Sequence, residues 1–172
     1  SGRYLWKRHS GNCSLTTKRF ENTRKEITMS QVYIVYWSGT GNTAAMADFV
    51  AEGVKAGGAE AVVLPVSAAS ISDLAGAKAF ALGCPSMGAE QLEESEMEPF
   101  MMELDGAISG KNVALFGSYG WGNQEWMRDW EDRISQDGAT VVNGEGVTVN
   151  GAPDGDVADS CRELGRALAG MV

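Results

Sequence analysis

Alternation is what most constrains this chain. Short apolar runs, too brief for helices, alternate with apolar residues at helical spacing. QVYIVYW (31–37), AVVLPV (61–66), KAFALGC (78–84) and KNVALFGS (111–118) read as strands, and ATVV begins a fifth within 139–149. Between and after them, helical faces are marked by Met46, Phe49, Val50 and Val54, then by Met97, Phe100, Met101 and Leu104. Two more faces follow, one from Trp126, Trp130 and Ile134, the other from Val157, Cys161, Leu164 and Leu168. Strand runs with so few polar interruptions suit strands covered on both sides. Strands alternating with helices through short links give a parallel sheet layered by helices. Right-handed crossovers then reduce the topologies to doubly wound ones. The predicted fold is α/β, a doubly wound five-stranded parallel sheet with helices on both faces. Ligands of such sheets bind outside the carboxyl ends of the strands, so the segments that follow each strand are the places to look.

At 172 residues the chain has room for one domain. No apolar run reaches the roughly 18–20 residues a bilayer span needs, so no membrane association is expected. Cys13, Cys84 and Cys161 are odd in number and far apart. That excludes a disulfide scaffold or an all-cysteine zinc site and fits a reducing compartment, the cytoplasm. A single histidine, His9, leaves little scope for histidine-based metal or acid–base chemistry, and no catalytic triad is discernible. The net charge is −9, from 23 acidic against 14 basic side chains. Arg3, Lys7, Arg8, Lys18, Arg19, Arg24 and Lys25 all lie in the first 28 residues, so the rest is more acidic still. Such a body repels phosphate backbones, and nucleic-acid binding is not expected. Residues 1–28 lack periodicity and read as a basic leader derived from a tag or from translated upstream sequence. A basic arm or targeting peptide is the other reading. Met29 reads as the natural initiator, and 29–172 as the folded domain.

The turn after the first strand is Ser38, Gly39, Thr40, Gly41, Asn42 and Thr43. It opens a helix, whose free N–H groups and dipole favour an anion. The glycines allow close backbone approach, and the hydroxyls and the amide add donors. No lysine is present, so this is no Walker A loop. Gly39, Gly41 and Ala44 match a dinucleotide fingerprint, yet the second strand ends in Pro65-Val66-Ser67, without the acid a ribose diol needs. Neutral donors crowded on one turn suit a single phosphate monoester.

After the third strand come Ser86, Met87, Gly88, Ala89 and Glu90, and after the fourth Ser118, Tyr119, Gly120, Trp121 and Gly122. Trp121 on a glycine-flanked tip offers a stacking face, and the polarizable Met87 can cover the other side of a flat ring. Trp126 and Trp130 fall at helical spacing and read as packing. Trp37 reads as packing beside the phosphate turn, and Cys84 as a small buried hydrophobe.

Taken together, YWSGTGNT, GCPSMGAE and FGSYGWGNQEWM resemble the short-chain flavodoxins of anaerobic bacteria, over about residues 29–172. The resemblance implies strand order 2-1-3-4-5, a monomer, and one non-covalent FMN with its phosphate in 38–43. It implies that Trp121 stacks on the outer face of the isoalloxazine and that Met87 lies on the inner side. Glu90 accepts from the flavin N3–H, the backbone at Gly88 meets N5, and that of Gly120 and Trp121 approaches N1 and O2. Pro85 stands where some relatives have a phosphate-touching serine, one position before Ser86. Ribityl contacts fall near Asn150 and Gly151. The implied function is a low-potential one-electron carrier, shuttling between redox partner proteins through a neutral semiquinone. Glu93, Glu94, Glu96 and Glu98 border the expected flavin edge, either as a solvated face or as a field steering basic patches of those partners. An FMN-dependent NAD(P)H reductase on the same fold is the alternative, and a phosphate-binding module without flavin the third reading.

Overall fold

Six strands form one parallel sheet in this computed structural model, which describes residues 30–172. They are β1 (Gln31–Tyr36), β2 (Glu60–Pro65), β3 (Ala79–Gly83), β4 (Asn112–Tyr119), β5 (Thr140–Val141) and β6 (Val147–Asn150). The order is β2-β1-β3-β4-β5, with β6 also paired to β4. The helices are α1 (Asn42–Ala56), α2 (Ile71–Ala75), α3 (Met97–Leu104), α4 (Glu125–Gln136) and α5 (Gly155–Ala169). The expectations for residues 1–28 and for Met29 lie outside the described residues. Among the described residues no helix is long and apolar enough to cross a membrane.

The pleat divides each strand between two cores, since successive side chains face opposite ways. Val32, Ile34, Ala79, Ala81, Ala114 and Phe116 join α1 and α5 through Met46, Val50, Val54, Cys161, Leu164 and Leu168. Val35, Phe80, Leu82, Val113 and Leu115 join α3 and α4 through Met97, Phe100, Met101, Leu104, Trp126, Trp130 and Ile134. Each large side chain so buried stabilises the fold by roughly 1.5–3 kcal/mol. Small strand residues on the first face draw its helices close. Gly53 of α1 lies against the Arg162 carbonyl and Gly165 of α5 against the Val50 carbonyl, where a Cβ would collide with either.

On the other face, charge joins α3 to α4. Arg133 pairs with Glu98 at 2.8 Å and with Asp105 at 2.7 Å. Burial opposes ionisation of Asp105, but the Arg133 guanidinium overcomes it and holds that carboxyl below its ordinary range. Asp137, at the end of α4, is pushed up to about 6 by burial and by its hydrogen bond and charge contact with Asp105.

Two details depart from the sequence reading. The fifth strand is broken: β5 pairs with Asn112 and Val113 of β4, and β6 with Phe116 to Tyr119 further along. Between them Asn143 and Gly144 take φ values of 63° and 81°, a left-handed turn that extended backbone cannot include. Also, the crossover from β2 to β3 carries only a 3-10 turn at Val66–Ala68 and the short α2. Leu74 alone of α2 is buried, too little for the sequence to show a stripe.

Candidate functional site

The strand order sets the carboxyl ends of β1, β3 and β4 side by side, and the three following loops enclose a cleft of about 250 Å³. Trp37, Gly39, Thr40 and Asn42 line it from the first loop and Pro85, Ser86 and Met87 from the second. Ser118, Tyr119 and Gly120 line it from the third, and Gly151 from the end of β6. No lysine or arginine is among these lining residues.

The first loop is braced from below. Gly41 takes φ 95° and α1 begins at the next residue, with no side chain capping it. The N–H groups of its first turn therefore have no helical acceptor. Ser38 accepts the Gly41 N–H at 3.1 Å, closing the turn. Thr43 is buried and points to β4: its hydroxyl oxygen lies 3.2 Å from the Ser118 hydroxyl and accepts the Ser118 N–H at 3.4 Å. Ser38, Gly41 and Thr43 shape the turn, and Gly39, Thr40 and Asn42 face the cleft. Opposite them, the Ser86 hydroxyl is buried without a partner. A buried polar group in that condition costs about 1–3 kcal/mol until something hydrogen-bonds to it.

In the second loop, Met87 and Gln91 exchange both backbone hydrogen bonds at 2.9 Å. Within that bridge Gly88 and Glu90 each take φ 52°. For Glu90 such backbone costs about 1–2 kcal/mol. Met87 lines the cleft, whereas Gly88, Ala89 and Glu90 do not. The Glu90 carboxylate turns to the third loop, where it accepts the Glu125 N–H at 3.2 Å and occupies the space a Cβ on Gly122 would need. One donor leaves a carboxylate with unused acceptor sites, so Glu90 can hold the loop and still receive another N–H. Trp121 stands on the rim beside Gly120, 60% exposed and outside the cleft lining.

One reading requires correction. Glu93 is not part of an exposed acidic rim. It is buried, and its carboxylate accepts N–H groups from Ser95 at 2.7 Å, Glu96 at 2.8 Å and Met97 at 3.1 Å. Burial works against its ionisation, and the three donors outweigh it, holding the carboxyl below its ordinary range. The physical reason is the start of α3, whose free N–H groups take the nearest acid. Glu98 is engaged by Arg133, so only Glu94 and Glu96 of the four remain exposed and unclaimed by these roles. Cys84 is fully buried, and burial pushes its thiol up to about 12. It is a small buried side chain, as its sequence context implied, and its sulfur accepts the Glu93 N–H at 3.4 Å. Among the described residues, no cluster of histidine, cysteine and acidic side chains could hold a metal.

Trp37 and Pro85 were not among the site residues read from sequence. The signal for both was position, since each lies within two residues of the end of a strand that borders the cleft. Gly151, near which ribityl contacts were expected, does line it, and its N–H donates to the Tyr119 carbonyl at 2.9 Å.

A doubly wound parallel sheet with a cleft at its switch point defines a ligand-carrying α/β protein. The family model for flavodoxin matches residues 34–165. A flavodoxin of Megasphaera elsdenii is 49% identical over 80% of this chain and 98% of its own length. One from Clostridium beijerinckii is 46% identical over 80% and 99%. The solution structure of the two-electron reduced Megasphaera elsdenii flavodoxin superposes with a TM-score of 0.75, at 47% identity, covering 81% of this chain and 98% of that one. The chain belongs to the flavodoxin family, whose members bind FMN and transfer electrons rather than catalyse a reaction of their own.

Proposed function

We propose that this FMN-binding electron carrier holds one non-covalent flavin in the cleft described above. It passes electrons singly and at low potential between partner proteins, through the neutral semiquinone. The observation that carries the reading is the meeting, in one cleft, of an uncapped helix N-terminus, the unpartnered Ser86 hydroxyl and the backbone of Tyr119 and Gly120. The donors fit a phosphate, and the loops fit the edge of a ring.

FMN supplies the one-electron chemistry that no side chain here possesses. The chain positions it. The backbone N–H groups of the 39–43 turn, apart from that of Gly41 which Ser38 takes, would hold the phosphate by neutral donors, helped by the hydroxyls of Thr40 and Ser86. Trp121 presents its exposed face for stacking and Met87 covers the inner side. Glu90 accepts the ring N3–H. The Gly88 peptide would lie at the flavin N5, where its carbonyl, once rotated inward, could accept a hydrogen bond from an N–H.

The same arrangement sets the potential. No cationic side chain lines the cleft to offset added negative charge. A carboxylate at about 7 Å, at an effective dielectric of about 20, opposes such charge by about 2.4 kcal/mol, or about 100 mV. Glu94 and Glu96 are exposed and therefore partly screened by salt, but their sign lowers the second potential. They also offer basic patches on redox partners a weak, salt-sensitive docking field. Cys84 and Cys161, free and buried, accord with a reducing cytoplasm.

Stepwise reduction of the FMN-loaded chain, followed by visible absorption, tests the reading. A blue neutral intermediate before full bleaching is expected. Direct passage from oxidised to fully reduced flavin overturns the one-electron mechanism, and a chain that takes up no FMN overturns the site.

A further inference from the structure

Gln124 stands in left-handed backbone, φ 68° and ψ 26°, at the N-cap of α4. Residues with a Cβ enter that region at a cost. Its side chain does not cap the helix either. It spans two neighbours instead: the amide nitrogen donates to the Tyr119 hydroxyl at 3.4 Å, and the amide oxygen accepts the Thr148 hydroxyl at 2.6 Å. Tyr119 lines the cofactor cleft, and Thr148 lies on β6 beside β4. Gln124 itself lines a second cavity of about 410 Å³, formed with residues of α4, of the segment 143–148 and of α5. Tyr119 packs against the core and on the Trp126 ring, with centroids 5.7 Å apart, and Gln124 adds a hydrogen bond to its hydroxyl.

We propose that Gln124 is a positioning residue for the flavin. It ties the Tyr119 hydroxyl to the Thr148 hydroxyl and so holds in place the Tyr119 ring that lines the cleft. This rests on the FMN reading above. Strained backbone persists only where its surroundings over-determine it, and here the two side-chain hydrogen bonds supply that constraint.

The test separates positioning from stability. In Gln124→Gly the left-handed backbone becomes free of strain but both tethers vanish. In Gln124→Glu the length is kept, and the carboxylate accepts from both the Tyr119 and the Thr148 hydroxyls. FMN dissociation constants come from recovery of flavin fluorescence on diluting the loaded full-length chain. Denaturant midpoints come from the same chain after flavin removal. Gln124→Gly is expected to bind FMN about tenfold more weakly with its flavin-free midpoint unchanged or raised, and Gln124→Glu to stay within about threefold of the parent affinity. The assignment is overturned if Gln124→Gly binds FMN like the parent chain. It is equally overturned if Gln124→Gly lowers the flavin-free midpoint in step with the affinity, which marks a purely structural residue. A parent chain that takes up no FMN overturns the proposed function, and the assignment with it.

Discussion

The turn after β1 rests on buried neutral hydroxyls, whereas the loops after β3 and β4 are held by strained backbone and by charge. Under the first, Thr43 meets Ser118 inside the fold, and α1 sits glycine to carbonyl on α5. Under the second and third, Glu90 and Gln124 occupy left-handed backbone. The helices that continue those loops are clamped by Arg133 through Glu98 and Asp105. On the proposed function the difference teaches how one cleft would serve two needs. A phosphate of constant charge wants fixed donors, while a ring that changes its hydrogen-bonding pattern wants a loop whose backbone can rearrange.

Breaking the braced side should have the largest effect. Thr43→Val leaves the Ser118 N–H buried without its acceptor, for a loss of about 1–3 kcal/mol. Denaturant unfolding of the flavin-free chain measures it, with FMN affinity falling in parallel. A midpoint equal to the parent's would mean the hydroxyl pair braces nothing.

The adjustable side should answer in potential before it answers in stability. At Gly88 an added Cβ meets only the Gln91 side chain, at 3.6 Å, so the penalty of Gly88→Ala is one of backbone alone. Gly88 already stands at φ 52° in this structure, so only the penalty that falls on the rotated peptide counts; at about 1–2 kcal/mol that lowers the first reduction potential by about 40–90 mV. A redox titration that finds no shift removes peptide rotation at this loop from the mechanism.

The smallest effect sharpens the contrast through pH. Asp137 holds its proton up to about 6, against an ordinary 3.8, so the native state binds that proton more tightly than the unfolded chain. Stability from this group therefore falls as pH rises from about 4 to about 6. Asp137→Asn removes the like charge beside Asp105. It should stabilise the fold at pH 7 by less than about 1 kcal/mol and flatten that part of the thermal-midpoint profile. Thr43→Val, which changes no charge, should leave the profile's shape alone.

Much of this was legible before any coordinates. Runs such as KAFALGC and KNVALFGS named buried parallel strands because both their faces are apolar, and the stripes at Met97, Trp126 and Val157 named the helices between. The glycine- and hydroxyl-rich turn at 38–43 likewise marked the link from β1 into α1. What stayed hidden lay in geometry that residue types do not announce. Glu93 looked like its acidic neighbours because residue type does not show which acid takes the free N–H groups at the start of α3, although those it accepts lie only two to four residues on. Gln124 carries no motif, and its role exists only because Tyr119 and Thr148 come within reach of one side chain. The break between β5 and β6 was written in Asn143-Gly144, but a turn signal inside an apolar segment does not say that the strand resumes along the same partner.

That break has a consequence for how the molecule meets others. An unpaired outer strand is a template on which foreign chains can add themselves. Here one side of the sheet ends in a two-residue strand, a left-handed kink and a four-residue strand, a border too irregular to be copied. The opposite border, β2, begins with a glutamate and finishes with a proline. Both margins thus offer a foreign strand only a short stretch on which to zip.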